Sequence, residues 1–444
     1  MKFALVNPPW SFAGSIYFGC REPHLPLEYG YARALLERDG HAVLVVDAHL
    51  HDLSLGDVAA QVDAFAPDRL VVTTAPSYLF WRCPPPELRA AQELLAACAV
   101  PDAMRIVVGP HASTTPAATV RKLQADAAVL GECEETLPRL AADPSAWAAV
   151  DAIARCQAGD ILVQGTPHAS DMAALPALVW PSADIQHHAH HHHRFDAAAA
   201  GPGAEMETSR GCPYHCTFCA KDNFRDDYRK RPLAIILEEL DGLCAQGIEY
   251  VYFIDEIFLP NKDLLEAIVP KRIKFGIQTR IDLWTPAMLE LLGRAGCVSI
   301  EAGVESITVE GRNLLDKGSK LTTEQIADRL VCARRHVPFV QANLMESGSD
   351  DPSAVEEWRQ YLQRFGVWAN KPVPMFPYPG SPGYLRRWGV ADDQAWERAM
   401  EHYLAEYDQF SDIQEARPRP LRELERLLPP RQGPVHGCLP SETK

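Results

Sequence analysis

Short apolar runs alternate with amphipathic segments over about the first 140 residues. Five runs are rich in β-branched residues and almost unbroken, which is typical of strands buried on both faces of a parallel sheet. They cover residues 2–7, 42–47, 69–74, 105–109 and 127–130. The segments between them predict helices over residues 28–38, 55–65, 87–97 and 117–124. These repeats predict an α/β fold that begins with a doubly wound, Rossmann-like domain over residues 1–145.

The pattern weakens over residues 146–203, which the sequence predicts to be a linker. Six of the seven residues from 187 to 193 are histidines. A histidine run of this kind can bind divalent metal. Its biased composition and the lack of periodicity around it favour a flexible linker instead.

A second series of apolar runs begins at residue 204. Strands are predicted over residues 205–209, 250–254, 274–279, 298–302, 339–343 and 367–372. Helices are predicted over residues 233–246, 262–267, 286–295, 323–336 and 353–365. Six β–α units over residues 204–384 predict a partial (β/α)6 barrel of the TIM type, with functional groups at the carboxyl ends of its strands. A small helical segment is predicted over residues 385–416, with its helix at 392–407, and residues 417–444 are predicted to be mostly disordered.

The composition indicates which classes of binding partner to expect and in which cellular compartment the protein functions. The 444 residues are 47% apolar, and 59 acidic residues against 43 basic ones give a net charge of −16. This balance argues against nucleic acid or an anionic membrane as the main partner. The N-terminus, MKFALVNPPW, lacks the pattern of a signal peptide, and no apolar run reaches transmembrane length. We therefore expect a cytoplasmic protein whose twelve cysteines are reduced or metal-bound.

Three cysteines stand close together in the stretch TSRGCPYHCTFCAKDNF, directly after the first predicted barrel strand. Cys212, Cys216 and Cys219 have the spacing C-x3-C-x2-C. A structural zinc site needs four protein ligands, and no second cysteine pair follows at zinc-ribbon spacing. Three thiolates on a 4Fe–4S cluster leave one iron open for chemistry. The spacing therefore favours an iron–sulfur cluster at the barrel mouth.

This motif, with aromatic Phe218 before its last cysteine, resembles that of the radical S-adenosylmethionine (SAM) superfamily. In that family SAM chelates the open iron, and reductive cleavage gives a 5′-deoxyadenosyl radical that abstracts hydrogen from the substrate. An electron donor such as flavodoxin is required. The resemblance implies that Phe218 abuts the adenine of SAM. It also places polar residues at the strand ends around SAM or the substrate, namely Asp255, Glu256, Arg280, Glu301, Glu305 and Ser306, and makes the segment PYPGSPGY the closure of the last strand.

The first domain resembles the cobalamin-binding domain that precedes many radical SAM domains. The resemblance lies in VVGPHAS followed by VLGECEETL. The cobalt-ligating motif D-x-H-x-x-G is absent. Pro110 takes the place of the second glycine in the phosphate-cradling turn, where it removes a backbone donor. The sequence therefore leaves cobalamin binding open.

Several segments resemble a narrower subgroup, the radical SAM diol dehydratase of apramycin biosynthesis. They are YVYFIDEIFLP, FGIQTRIDLW, AGCVSIEAGVES, PFVQANLM and FSDIQ. The resemblance implies dehydration of a small cationic amino sugar, with an NADPH-dependent reductase as a further partner. One alternative is cobalamin-dependent methylation of an unactivated carbon in a natural-product intermediate. A regulatory cluster protein without catalysis is the third.

Dehydration requires an acid and a base in the site, because hydroxide is a poor leaving group. Tyr214 and the adjacent pair Asp255 and Glu256 are the predicted catalytic residues, and Lys221 and His215 are second choices. Carboxylates near the barrel mouth would also attract the protonated amines of such a substrate.

Overall fold

Two separate sheets organise the protein, as the sequence pattern predicts. The computed structural model describes residues 1–17, 22–76, 82–188, 202–225, 227–407 and 417–429. Within these residues a seven-stranded sheet forms the N-terminal domain, and a six-stranded parallel sheet forms the barrel. The predicted α/β fold class is confirmed.

The N-terminal sheet has the strand order β2-β1-β3-β4-β5-β6-β7. Its strands are β1 (Lys2–Asn7), β2 (Ala42–Asp47), β3 (Arg69–Thr73), β4 (Met104–Val108), β5 (Ala127–Val129), β6 (Ile153–Gln157) and β7 (Asp160–Gln164). The helices are α1 (Leu27–Arg38), α2 (Leu55–Phe65), α3 (Arg89–Ala97), α4 (Pro110–Thr114), α5 (Pro116–Leu123), α6 (Thr136–Arg139) and α7 (Ser182–His187). The first five strands are parallel. The strand order reverses between β1 and β3, where doubly wound folds bind ligands.

The predicted linker contains ordered structure, and the prediction is wrong there. Strands β6 and β7 form an antiparallel hairpin that extends the N-terminal sheet beyond β5. Its outer strand β7 is largely exposed, so it lacks the apolar run that marks a buried strand. The start of the histidine run is also structured: His187 ends α7, and buried His188 contacts Glu205 of the barrel at 3.0 Å. Residues 189–193 lie outside the described residues.

The barrel strands follow the order β15-β14-β13-β12-β11-β8, all parallel. The strands are β8 (Gly203–Met206), β11 (Tyr250–Phe253), β12 (Lys274–Thr279), β13 (Cys297–Glu305), β14 (Phe339–Leu344) and β15 (Trp368–Ala369), with a small ribbon of β9 (Ser209–Arg210) and β10 (Arg229–Lys230). The helices are α8 (Leu233–Ala245), α9 (Lys262–Ile268), α10 (Pro286–Arg294), α11 (Val309–Leu314), α12 (Thr323–His336), α13 (Pro352–Arg364), α14 (Pro382–Trp388), α15 (Ala395–Glu406) and α16 (Leu421–Leu424). The predicted partial barrel is thus observed with all six strands.

The apolar and the polar side chains of the central barrel strands lie on opposite faces of the sheet. Ile277, Ile300 and Val340 are paired across β12, β13 and β14, and all three are fully buried in the apolar core. The next residue of each strand is polar, which gives the row Gln278, Glu301 and Gln341 at one level. Because successive side chains of a strand alternate between the two faces, this polar row lies on the opposite face from the apolar core.

The C-terminal region is more ordered than the composition predicts. Helix α15 lies within the predicted helix 392–407, and α14 precedes it. Residues 417–429 cross back over the N-terminal domain, where Leu421 and Leu424 are buried and Lys122 contacts Glu425 at 2.9 Å. Apolar burial offsets the entropy of ordering this proline-rich stretch. The FSDIQ segment and residues 430–444 lie outside the described residues.

No helix in the described part of the chain is long and apolar enough to cross a membrane. Nine described cysteines are free thiols, among them the three of the C-x3-C-x2-C motif. Cys156 is disulfide-bonded, which is an exception to the predicted reduced state.

Candidate functional site

The three motif cysteines lie in the loop between β9 and β10, at the carboxyl end of the first barrel strand; we call residues 211–220 the cluster loop. Each thiol is partly buried. Burial raises the pKa of Cys216 to about 11 and that of Cys219 to about 12, while the positive charges of Lys317 and Arg82 oppose the shift. The thiols therefore keep their protons at neutral pH until a metal displaces them.

The three motif cysteines stand close enough together for the charges of Cys212 and Cys216 to act on Cys219. Among the described residues, no three His, Cys, Asp or Glu side chains converge on one metal position. A cubane does not need such convergence, because each thiolate binds a different iron. Three adjacent thiols with cations nearby are a suitable donor set for a 4Fe–4S cluster, whose sulfides and thiolates carry negative charge.

The predicted acids Asp255 and Glu256 accept hydrogen bonds from the first residue of the cluster loop and from the residues just before it. Asp255 is buried and accepts hydrogen bonds from the Thr208 backbone N–H at 2.7 Å and the Ser209 hydroxyl at 2.6 Å. Glu256 accepts a 2.8 Å bond from the Gly211 backbone N–H and pairs with Arg225. Burial raises the pKa of Asp255 to about 7, against the hydrogen bonds that lower it. Both carboxyl groups are thus engaged in positioning the loop.

A buried group of charged residues joins the two domains at this point. We call it the interdomain ion cluster, and it consists of Glu132, Glu134, Glu207, Glu256, Arg210, Arg225 and Arg229. Arg210 precedes the cluster loop and contacts Glu132 at 2.8 Å and Glu134 at 2.6 Å, with all three side chains fully buried. Burial raises the pKa of Glu132, but the surrounding arginines outweigh it and lower the pKa to about 2.

The ion cluster explains the GECEE segment of the N-terminal domain in physical terms. Glu132 and Glu134 follow β5, and their partners Arg210 and Arg225 flank the cluster loop on both sides. Sequence reasoning noted GECEE but missed its arginine partners. The arginines are distant in sequence, so only the docking of the two domains reveals the pairing.

Arg280 and Tyr214 form one wall of the site. The Arg280 guanidinium lies 4.0 Å from the centre of the Tyr214 ring and pairs with Asp282 at 2.8 Å. Its Nη1 is buried and has no hydrogen-bond partner within the described residues. This orphaned donor beside the cluster loop suits a carboxylate ligand such as that of SAM. Burial also raises the pKa of the Tyr214 hydroxyl, so it keeps its proton.

The predicted SAM residues on β13 and directly after it differ in the groups that they contact. Glu301 belongs to the buried polar row of the barrel. Glu305 has a left-handed backbone (φ 61°) at a register shift in β13 and pairs with Lys317, whose charge also acts on Cys216. Ser306 is different: its hydroxyl donates to Asp350 at 2.8 Å, so its hydroxyl is already engaged within the loop.

The remaining predicted residues stay on the cluster loop or beside it. Phe218 is partly exposed, as an aromatic contact for adenine requires, and His215 is exposed. Lys221 is buried directly after the loop, and its charge lowers the pKa of Cys212 against the larger effect of burial. The structure therefore brings Tyr214, Phe218, Arg280 and Glu305 together around the three cysteines.

The PYPGSPGY segment packs directly against the cluster loop. The Thr217 carbonyl accepts a 2.7 Å bond from the Gly383 N–H, and a Cβ at position 383 would lie 2.8 Å from that oxygen. Gly380 has φ +85°, and its missing Cβ leaves room for Asn223. The two glycines permit close backbone approach, so this segment fixes the loop rather than a ligand.

Sequence reasoning missed Arg82, which extends from the N-terminal domain into the barrel mouth. It follows β3 and donates to the Glu256 carbonyl at 3.1 Å and to the Gln278 side chain. Its charge acts on Cys219. A single arginine in a proline-rich loop carries no sequence signal for this position.

Arg82 follows β3 and Glu132 follows β5, and both contact residues at the barrel mouth. The carboxyl edge of the N-terminal sheet therefore faces the barrel mouth. A ligand at the switch point between β1 and β3 would therefore lie against the cluster loop. Glu28 lies at this interface, where Glu134, Arg225 and Glu207 act on it, and its buried carboxyl oxygens have no hydrogen-bond partner among the described residues apart from its own backbone N–H. Burial raises its pKa to about 8, so the group is neutral at pH 7 and can donate and accept. A corrinoid rim, which carries amide groups, fits such an orphaned carboxyl.

The loop after β4 fits a corrinoid nucleotide tail less well. A Cβ at Gly109 would lie 2.5 Å from the Thr74 hydroxyl, so this glycine serves close packing between two strand ends. Pro110 has no N–H to offer, and His111 stacks on Trp396 of α15 at 4.3 Å. A corrinoid held at the β1–β3 edge would have to place its tail away from this loop.

Comparison with known proteins agrees with this geometry. Residues 206–346 match the radical SAM superfamily, so the chain contains a radical SAM domain. An uncharacterized methyltransferase of Pyrococcus horikoshii is 26% identical over 404 residues, covering 86% of this chain and 82% of the relative. An anaerobic magnesium-protoporphyrin IX monomethyl ester cyclase of Cereibacter sphaeroides is 24% identical over 353 residues, covering 74% of this chain and 55% of the relative.

Two solved structures share the two-domain fold. The methyltransferase TsrM of Kitasatospora setae, solved with cobalamin and a 4Fe–4S cluster bound, superposes with a TM-score of 0.66 at 19% identity and covers 86% of this chain and 76% of its own. The cobalamin-dependent radical enzyme OxsB, solved with aqua-cobalamin, has a TM-score of 0.62 at 18% identity, over 95% of this chain and 57% of its own.

Proposed function

We propose that this radical SAM enzyme is a cobalamin-dependent methyltransferase. The observation that carries the proposal is the facing of the two strand edges, joined by the buried interdomain ion cluster. The segment after β1 reaches the cluster loop, because buried Ile16 and Ala220 belong to one apolar cluster. The match to a methyltransferase of similar length and the shared fold of two cobalamin-bound enzymes support the same conclusion.

The chain's residues divide into three sets under this proposal. Cys212, Cys216 and Cys219 hold the cluster. The orphaned Arg280 Nη1 and the Glu305–Lys317 pair bind SAM, and Phe218 contacts its adenine. Glu28 and the β1–β3 edge hold the corrinoid. When bound, the cluster supplies an electron for SAM cleavage and the corrinoid supplies the methyl group.

Methyl transfer makes different demands on side chains from the dehydration that the sequence resemblance predicts. Dehydration needs a base and an acid with free access to the substrate. Asp255 and Glu256 instead accept hydrogen bonds from the residues that begin the cluster loop. Tyr214 stacks under Arg280 and retains its proton. Methyl transfer needs these groups only to position the loop, and its product needs no later NADPH-dependent reduction.

For the substrate, we propose a small polar or cationic molecule. The barrel row of Gln278, Glu301 and Gln341 is polar and mostly buried, and such a polar face suits a polar or cationic substrate better than an entirely apolar one. Burial also raises the pKa of Glu346. An amino sugar remains compatible with this chemistry.

The proposal predicts a specific pair of products. Protein reconstituted with iron, sulfide and hydroxocobalamin should retain close to one corrinoid per chain after gel filtration. Its turnover should form S-adenosylhomocysteine together with 5′-deoxyadenosine, as measured by liquid chromatography with mass detection. Formation of 5′-deoxyadenosine without S-adenosylhomocysteine, by protein that retains no corrinoid, would contradict the methyltransferase proposal.

A further inference from the structure

Arg82 brings a positive charge from the N-terminal domain to the barrel mouth. Its guanidinium donates to two acceptors of the barrel, the Glu256 carbonyl at 3.1 Å and the Gln278 side-chain oxygen at 2.5 Å. The Gln278 amide is oriented for this contact, because its Nε2 donates to the Asp255 carbonyl at 2.9 Å. The barrel therefore fixes the position of a side chain that belongs to the other domain.

The positive charge of Arg82 lacks a carboxylate partner. Its two acceptors in the barrel are a backbone carbonyl and a side-chain amide, and no carboxylate within the described ranges forms an ion pair with its guanidinium. Two other cations beside the motif cysteines are different. Arg280 pairs with Asp282 at 2.8 Å. Lys317 pairs with Glu305. The charge of Arg82 is therefore the less compensated one.

This charge acts on two of the motif cysteines. Burial raises the pKa of Cys219 to about 12, and the charge of Arg82 is the largest effect that opposes this rise. Burial also raises the pKa of Cys212, and Arg82 is again among the charges that lower it. A cation that favours a thiolate at these positions also favours additional negative charge on a cluster that the thiolates bind.

We propose that Arg82 raises the reduction potential of the cluster, and that the N-terminal domain thereby controls how readily the cluster is reduced. One electron passes from a low-potential reductant to the cluster, and no bond is made or broken. The reduced cluster is more negative by one charge, and a cation fixed beside its ligands stabilises that state. The inference rests on the cluster-binding part of the proposed function.

The test measures the midpoint potential of the cluster in the full-length protein, reconstituted with iron and sulfide. Dithionite and redox mediators set the potential, and electron paramagnetic resonance gives the reduced fraction. Arg82→Gln should lower the ratio of reduced to oxidised cluster about tenfold at a given potential, which is a midpoint about 59 mV lower. The shift should persist in high salt, because salt screens a partly buried charge only weakly.

Two further variants separate the charge of Arg82 from its shape and from the general charge of the domain. Arg82→Lys keeps the positive charge, so its midpoint should lie close to that of the wild type. Arg38→Gln removes an arginine of the same domain that is 65% exposed at the end of α1, just before β2 begins at the opposite edge of the sheet. Its midpoint should be unchanged, because solvent and salt screen that charge.

Three results would overturn the inference. The first is an equal midpoint in Arg82→Gln and the wild type. The second is a midpoint in Arg82→Lys as low as that in Arg82→Gln, because the shape of the side chain would then matter and its charge would not. The third is Arg82→Gln protein that assembles no cluster, which would make Arg82 a structural support of the loop. Wild-type protein without any reduced-cluster signal would instead refute the cluster assignment itself.

Discussion

Replacing Cys212 with alanine will lower reductive SAM cleavage by more than about a hundredfold. Loss of outer partners of a metal site already costs roughly 10–100-fold in affinity or activity, and a direct ligand contributes more. The iron content per chain and the visible absorption of the reconstituted protein should fall together with 5′-deoxyadenosine formation. Because the thiol is partly buried in a loop held by other contacts, the alanine variant should still fold.

Cys332→Ala is the matched control for this change. Cys332 is also a partly buried free thiol, but it lies within α12. Its removal should leave iron content and SAM cleavage at the wild-type level. Equal losses in the two variants, or retention of full iron content in the Cys212 variant, would refute the assignment of the motif as the cluster ligand set.

Replacing Glu132 with glutamine will have the second-largest effect, through the interdomain ion cluster. The change leaves the buried arginines Arg210 and Arg225 without a full counter-charge. Removing one partner of a buried ion pair costs about 3–5 kcal/mol. The melting temperature should fall, and the cluster loop should lose its fixed position, because these arginines flank it. The remaining folded protein should therefore bind less iron than the wild type, measured on the fraction recovered after gel filtration.

Glu135→Gln separates this effect from a general loss of a carboxylate. Glu135 lies in the same GECEE segment, but it is a quarter exposed and pairs with His168 at 2.7 Å. Surface pairs of this kind contribute about 0–1 kcal/mol. The Glu135 variant should match the wild type in melting temperature and iron content. If the Glu132 variant does so as well, the ion cluster does not position the loop.

Much of the fold is predictable from the sequence because buried parallel strands have a strong local signature. All eleven predicted strands are present, with shifts of a few residues at their ends, as in β8 (Gly203–Met206) and β15 (Trp368–Ala369). The hairpin of β6 and β7 escaped prediction because its outer strand β7 is exposed at the sheet edge and lacks an apolar run. The buried tail around Leu421 escaped because its partners belong to a distant part of the chain.

The site is predictable only where its residues are adjacent in sequence. The cysteine motif is local, and so is its position after the first barrel strand. Asp255 and Glu256 directly follow β11 and lie beside the cluster loop, but their hydrogen-bond partners depend on how the loop folds back. Arg82 and the arginines of the ion cluster are paired across two domains. No periodicity or spacing encodes such contacts.

The central claim is that the three cysteines hold a 4Fe–4S cluster with one iron open to SAM. Electron paramagnetic resonance of the anaerobically reduced protein, recorded with and without SAM, tests it most directly. We predict the signal of a reduced 4Fe–4S cluster. Its g-values should change when SAM is added and should stay the same when only buffer is added. A reduced cluster whose spectrum is identical with and without SAM, or protein that retains zinc and gives no cluster signal, would contradict the account.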